Sequence, residues 1–528
     1  MKEIKNLLLL TLLSVILPLQ AGLAQVFEPN WASLEQYIVP DWYRDAKFGI
    51  FMHWGVSSVP AHENGWYGRQ MYQQEGAEWG TTYAYHLAHY GHPSEFGYKD
   101  LIPMWKAEKW DPDALVRFYQ SIGARYVVPV AVHHDNFDNY ASTFQPWNSV
   151  NMGPKRDIIG EWKKACEKHG LRLGVSSHAD RTWDWFSTAH GSDTHGDKKG
   201  IPYDGTLTKA DGKGKWWEGY DPVDLYTAPH ASTEAPDEAY CTKWYNRTIE
   251  LIDQYHPDLL WFDGPMPMVC SSRACADNRT QMETYGLEVA SHFYNSNQAW
   301  HGGKMEAVLN LKSWEKGDLP STSAIVYDTE KGQTSNIRKN PWQTDTSIPG
   351  DWFFDSEALE LSDTVIVHNL CDIVSKNGNL LLNVGLRADG TLPEDQKKVL
   401  SGVGKWLKIN GEAIYGTRPW EKYGEGPTVL NHGDFQQNKR PFTAKDIRFT
   451  TKGNSLYAII LGWPADGKIT LQSIPKDKQL WFGAIGSVRL LGCKRPLKWE
   501  RNALGTTVYL PKKRPGEYAY VVKLTCQK

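Results

Sequence analysis

Cysteine is scarce in this chain and widely spread. The seven cysteines, Cys166, Cys241, Cys270, Cys275, Cys371, Cys493 and Cys526, form no CxxC pair, which excludes a dense disulfide scaffold and a zinc ribbon. Spacing leaves open whether Cys270 and Cys275 pair. Net charge is scarce too. A formal balance of −3 over 528 residues leaves no basic footprint for a nucleic-acid partner. Past the first two dozen residues no run is long and apolar enough to span a bilayer, and there is neither an internal repeat nor a low-complexity tract. At the start, Lys2 and Lys5 precede an apolar run from Leu7 to Leu19 and the small residues Ala21, Gly22 and Ala24. This is the pattern of a cleaved secretory leader over residues 1–24. The run is short for a membrane span, and no cysteine follows that could take a lipid. The expectation is a periplasmic or secreted protein.

Aromatic residues, by contrast, are abundant, with 24 Trp and 26 Tyr. Such side chains fill cores, and they also stack on the C–H faces of sugar rings. A mature chain of roughly 500 residues exceeds what one core usually serves. Eight apolar, β-rich segments recur: 47–55, 125–135, 171–180, 259–264, 305–314, 323–330, 342–348 and 378–385. Helical periods separate most of them. One helix has Asp157 as its cap, Ile158, Ile159, Trp162, Ala165 and Cys166 on its apolar face, and Gly170 as its stop. Another opens at Pro393 and Glu394, buries Val399, Leu400, Val403, Trp406 and Leu407, and stops at Gly411. Eight β-then-α units are the count of a closed (β/α)8 TIM barrel, an α/β fold. After residue 425 short strands follow without helices, as in an antiparallel β-sandwich. The expected domains are a barrel over 25–425 and a sandwich over 426–528.

The stretch from Leu259 to Gly264 drives Asp263 to the end of a run that reads as a buried strand, with Trp261 two residues before it. In a parallel barrel the carboxyl ends of the strands carry the chemistry. His53, His133, His134, His178, Asp263 and Glu330 all finish such segments and would meet in one cleft. Metal ligands usually come with recognisable spacing, and adjacent His133 and His134 point alternate ways along a strand, so no metal or cofactor is expected. The other reading is a set of neutral hydrogen-bonding groups around a polyhydroxylated ring. Two carboxylates would then flank the bond to be broken, as glycosidases require.

Several motifs carry a family resemblance across nearly the whole mature chain. They are the run from Lys47 through His53 to Gly55, Trp66 and Tyr67 with Arg69 and Met71, and His133 to Asp135 before Phe137. The series continues with Trp261 to Gly264, Glu330 to Gly332, Trp342 to Asp345, and Ser375 to Asn383. In these the chain resembles glycoside hydrolase family 29, the retaining α-L-fucosidases. The resemblance implies a barrel followed by a sandwich, a two-step mechanism without cofactor, and a fucosylated oligosaccharide or glycoconjugate as substrate. It makes Asp263 the nucleophile and Glu330 the general acid/base, with Glu306 and Glu315 as the next choices. His53, Trp66, His133, His134 and Trp261 become the sugar contacts; His178, from its strand end, and Trp352, from its loop, are added to them as candidate substrate contacts outside the resemblance, and the role of Lys312 stays open. The chain departs from the family in having Ser176, Ser177 and His178 where relatives carry a tyrosine-rich strand end. It also has Gly65 before the Trp66–Tyr67 pair, where relatives often carry Glu; Glu63 lies a little earlier. The insertion 187–237 with Trp216 and Trp217, and the loop with Trp352, are expected to wall the aglycone side. Two alternatives remain at this level: a fucose-binding protein without catalysis, and a related glycosidase for another sugar such as galactose. Oligomeric state is not legible.

Overall fold

Strands buried on both faces read as near-continuous apolar runs, and the eight segments form just such strands in a computed structural model. Residues 25–62, 65–76, 81–231, 233–264, 279–312, 323–358, 361–435, 437, 441–480 and 483–527 are described. The leader, Glu63, Cys270, Cys275 and Glu315 lie outside them. The strands are β1 (Phe48–His53), β2 (Tyr126–Val132), β3 (Arg172–Ser177), β4 (Leu259–Phe262), β5 (Val308–Lys312), β6 (Val326–Glu330), β7 (Trp342–Ser347) and β8 (Gly378–Gly385), and they close in chain order into a barrel. All neighbours run parallel, and β8 returns to β1 with Phe48 opposite Leu380 and His53 opposite Gly385. Phe51, Tyr126, Val128, Val130, Leu259, Trp261, Val308, Val326 and Leu381 pack against one another as the barrel filling. Side chains alternate along a strand, so the inward parity of Leu259 and Trp261 carries on to Asp263 at the rim.

The main helices are α1 (Pro112–Ser121), α2 (Ile158–His169), α3 (Glu238–Tyr255), α4 (Arg279–Trp300), α5 (Asp363–Ser375) and α6 (Glu394–Asn410). Asp157 caps α2 by accepting from the Gly160 N–H at 3.0 Å, and Gly170 ends it at φ +69°, a conformation that costs glycine little. Gly411 does not end α6 in that way. It keeps φ −59° and enters a short 3-10 turn. Between β6 and β7 residues 331–341 form no helix. Chain from beyond the barrel pairs there instead: the N–H groups and carbonyls of Gln333 and Gly433 exchange hydrogen bonds of 3.1 and 3.0 Å.

The C-terminal part comprises β9 (Arg418–Glu425), β10 (Ile447–Lys452), β11 (Ser455–Ile460), β12 (Lys468–Leu471), β13 (Ala484–Leu490), β14 (Trp499–Asn502), β15 (Gly505–Tyr509) and β16 (Tyr520–Gln527). A five-stranded sheet, β13-β16-β11-β10-β9, faces a three-stranded one, β12-β15-β14. The change of pattern at residue 425 marks the end of β9, which already belongs to the larger sheet, so the barrel ends before Arg418. Strands β9 and β14 lie at sheet edges and are polar, as edges usually are, so they carry no apolar run in the sequence. The alternation of β11 divides two cores. Leu456, Ala458 and Ile460 meet Leu471 and Val508 from the smaller sheet, while Tyr457 and Ile459 join the barrel core with Ile366, Leu370 and Trp406 of α5 and α6.

A buried charge cluster ties the two parts together. Asp372 on α5 accepts from Arg448 Nε of β10 at 2.5 Å and from Lys376 Nζ at 2.7 Å. Burial pushes the Asp372 carboxyl up, but the two cations outweigh it and hold the carboxyl below its ordinary value. Asp372→Ala leaves two buried cations without their counter-ion and is expected to cost about 3–5 kcal/mol. Urea unfolding reads this as a lower midpoint, and an unchanged midpoint would show that the cluster does not hold the domains together.

Candidate active site

Strand ends and the loops after them enclose a cavity of about 460 Å³, within the usual range of small-molecule sites. His53, Trp66, His133, His134, His178, Trp261, Asp263, Glu330 and Trp352 all line it, so the structure brings together the two first-choice carboxylates and the seven expected sugar contacts. Gly65, Arg181, Lys312, Lys331, Asp345, Asp351 and Phe435 complete the lining.

At its base lies one ammonium group among carboxylates. Lys312 Nζ is 3.1 Å from Asp263 Oδ1, 3.1 Å from Glu330 Oε2 and 3.3 Å from Asp345 Oδ2. Its strand register explains the gathering. Lys312 is paired with Asp328 across β5 and β6, and Glu330 with Asp345 across β6 and β7, so all these groups project into the barrel mouth. Burial pushes the Asp263 carboxyl up, but Lys312 and the facing rings of His134 and His178 overcome this and hold it well below the usual carboxylate range. Asp345 goes the other way, raised well above that range by burial and by Asp328. Asp328 is raised by burial as well and accepts from Gln343 Nε2 at 2.6 Å. The cluster thus favours the ionised form of Asp263 and disfavours ionisation of Asp328 and Asp345. Asp263 and Glu330 each touch the same nitrogen, so their facing oxygens lie within twice 3.1 Å of one another. That bound admits the about 5–5.5 Å of a retaining carboxylate pair and falls short of the about 6.5–9.5 Å of an inverting pair.

Above the carboxylates the imidazoles form a neutral polar wall. Burial lowers His53 and His133 well below the ordinary histidine value, lowers His134, and brings His178 down to about 4. Asn383 donates from Nδ2 to the Trp352 carbonyl at 2.7 Å, which turns its Oδ1 to His53 Nδ1 at 2.8 Å. His53 therefore carries its proton on Nδ1 and offers Nε2 as an acceptor. His134 Nε2 and His178 Nδ1 lie 3.4 and 3.7 Å from Asp263 Oδ2. Aromatic faces surround these polar groups: Trp352 is 5.0 Å from His53, Trp261 is 4.9 Å from His178, and Trp185 backs His134 at 4.5 Å. An apolar wall with a few convergent hydrogen-bonding groups suits a sugar ring. Two sets, His53 with His133 and His178, and His134 with His178 and Asp263, bring possible ligand atoms within 4.8 Å of one another. A dication bound through Asp263 would sit beside the Lys312 ammonium, so this donor set suits hydroxyl groups better than a cation.

Some expectations change. His133 and His134 follow the last residue of β2, so strand alternation does not separate them and both rings enter the cavity. Glu306 precedes β5, at the opposite end of the barrel, where it is buried in a pair with Arg172 at 2.7 Å. It cannot reach the site. Trp216 and Trp217 do not wall the cavity: Trp216 donates to Asp100 Oδ1 at 3.0 Å and its neighbour is buried beneath Lys99. Any side chain at Gly65 would press on the His133 ring, whose Cε1 lies 3.0 Å from where a Cβ would be, and on Phe353. Asp345, although in a quoted motif, had no assigned role, and nothing local marks Phe435, which arrives from beyond the barrel.

Comparison with known proteins agrees with this geometry. The Alpha-L-fucosidase family model matches residues 16–412, and the model for the Alpha-L-fucosidase C-terminal domain matches residues 437–525. Tissue alpha-L-fucosidase of Rattus norvegicus is 29% identical over 94% of this chain and 92% of its own length. Alpha-L-fucosidase of Branchiostoma floridae is 29% identical over 98% of both. The crystal structure of Thermotoga maritima alpha-fucosidase in complex with fucose superposes with a TM-score of 0.66 at 28% identity, covering 94% of this chain and all of that one. With a family model spanning the barrel and a second spanning the sandwich, the chain belongs to the alpha-L-fucosidase family.

Proposed function

We propose that the protein hydrolyses terminal α-L-fucosyl residues of fucosylated glycans by a retaining double displacement. The observation that carries this reading is the shared Lys312 contact, which holds two carboxyl groups closer together than an inverting pair would stand. Asp263 attacks the anomeric carbon from the face opposite the leaving oxygen. As the glycosidic C–O bond breaks, Glu330 gives that oxygen its proton, and an ester joins fucose to Asp263. Glu330 then takes a proton from water, the resulting hydroxide attacks the same carbon, and the ester bond breaks to release Asp263. Two inversions return the α-configuration. The neutral rings of His53, His133, His134 and His178 supply donors and acceptors to the sugar hydroxyls, and Trp261 and Trp352 cover its apolar parts.

The two carboxyl groups are separable by stereochemistry. Asp263→Gly should lose hydrolysis, and azide should attack the bound substrate directly, giving the β-fucosyl azide from an α-fucosyl fluoride. Glu330→Ala should still form the ester from the fluoride, which needs no acid, so azide should yield the α-azide. Its rate on a sugar leaving group should fall about 10²–10⁴-fold. Product anomers by NMR decide this, and identical anomers from both variants would contradict the assignment.

The histidines predict how binding depends on pH. Protonation of His178, with its value near 4, adds a charge and removes an acceptor as pH falls. The inhibition constant of free fucose should therefore stay flat from pH 7 to about 5 and rise towards 4. A rise beginning above pH 6 would show that the ring is not neutral where the reading needs it to be.

We further propose that residues 1–24 direct export and are removed. The basic start, short apolar run and small residues before Gln25 support this. Protein recovered outside the cytoplasm should begin at Gln25, and a retained Met1 would contradict the proposal.

A further inference from the structure

The strand that presents Glu330 is finished by chain from the C-terminal part. Phe435 donates its N–H to the Glu330 carbonyl at 2.9 Å, and Gln437 donates to the Lys331 carbonyl at 3.1 Å. The Glu330 N–H in turn donates to Asp434 Oδ1 at 3.0 Å. Glu330 is thus held on both its backbone groups by one segment. That segment also places the Phe435 ring in the lining of the cavity, together with Trp66, Trp352 and Lys331.

Two features of Phe435 lack a structural reason. Its backbone lies at φ +54°, a region that suits glycine and is unfavourable for a bulky side chain. The residue is 54% exposed, so it recovers only part of the stabilisation that burying an aromatic side chain gives. A strained, exposed ring at the mouth of a site is a reason to look for a ligand. Phe435 and Glu330, the group assigned to the leaving oxygen, line the same cavity and are joined through their backbones, so the ring belongs to the strand end that would serve the departing sugar.

Resting on the hydrolase reading, we propose that Phe435 is the stacking wall of an acceptor subsite, which takes the uncharged hexopyranose bearing the fucose by its C–H face. The C-terminal segment thereby joins two tasks in one turn. It fixes the strand end of the acid/base and presents the surface on which the leaving sugar rests. Specificity for the leaving group would then depend partly on chain outside the barrel.

The test compares kcat/KM for two substrates in wild type, Phe435→Gly and Phe435→Trp. One is α-L-fucosyl fluoride, which has no acceptor ring, and the other is a fucosylated disaccharide that the wild type cleaves. Glycine accepts the φ of this position, so that variant should fold, and its melting temperature serves as the check. The expected result is a loss of about 3- to 10-fold on the disaccharide in the glycine variant, a change within about twofold on the fluoride, and recovery in Phe435→Trp. An undiminished disaccharide rate, or equal losses on both substrates, overturns the proposal while leaving the hydrolase reading intact. Wild-type protein that cleaves neither the fluoride nor any fucosylated disaccharide of a linkage panel overturns the hydrolase reading and this proposal with it, and is recognised without any substitution.

Discussion

One buried ammonium governs the chemistry of this protein. Lys312 stands among Asp263, Glu330 and Asp345 at the mouth of the barrel, where it is buried. A carboxylate buried there alone would take up a proton, because burial disfavours its charge. Lys312 reverses this for Asp263, with support from the facing histidines. It does not do so for every neighbour, since Asp328 and Asp345 are both raised. Clustered acids that differ in this way can divide the work of nucleophile and proton reservoir. The carboxylates also hold the lysine charged, which burial alone would oppose.

The scaffold makes this arrangement by register. Side-chain parity along β4, β5, β6 and β7 turns Asp263, Lys312, Asp328, Glu330 and Asp345 towards the same axis. Parallel closure then brings four strand ends within reach of one nitrogen. The weak point is the turn after β6, where residues 331–341 form no helix. The C-terminal segment pairs with it through Gly433, Phe435 and Gln437, so the sandwich is coupled to the active site as well as to the barrel core. The Asp372, Arg448 and Lys376 cluster and the inward face of β11 hold the sandwich where that pairing can form.

Much of this was legible in the sequence for a simple reason. Strands buried on both faces announce themselves as apolar runs, and polar residues that terminate them stand out, as His53, His178 and Asp263 do. Lys312 was noticed but not interpreted, because a lysine at a strand end also reads as a solvated terminus; only the register shows it facing three carboxylates. The alternation rule failed for His133 and His134 because they lie past the strand to which it applies. Glu306 precedes β5 and so sits at the end of the barrel away from the site; a strand's apolar run does not show which of its ends faces the cleft. The polar edge strands β9 and β14 lack the apolar signal altogether. Phe435 depends on a pairing between positions about a hundred residues apart, which no local pattern reveals.

The measurement that tests the central claim most directly is the pH dependence of kcat/KM for Lys312→Met against wild type, on α-L-fucosyl fluoride. Methionine keeps the length of the side chain and removes its charge, and kcat/KM reports ionisations of the free protein. If Lys312 is what keeps Asp263 ionised, the acidic limb moves to higher pH in the variant, since loss of the cation lets burial raise the Asp263 carboxyl. An acidic limb that stays in place would show that Asp263 is held ionised by something other than Lys312.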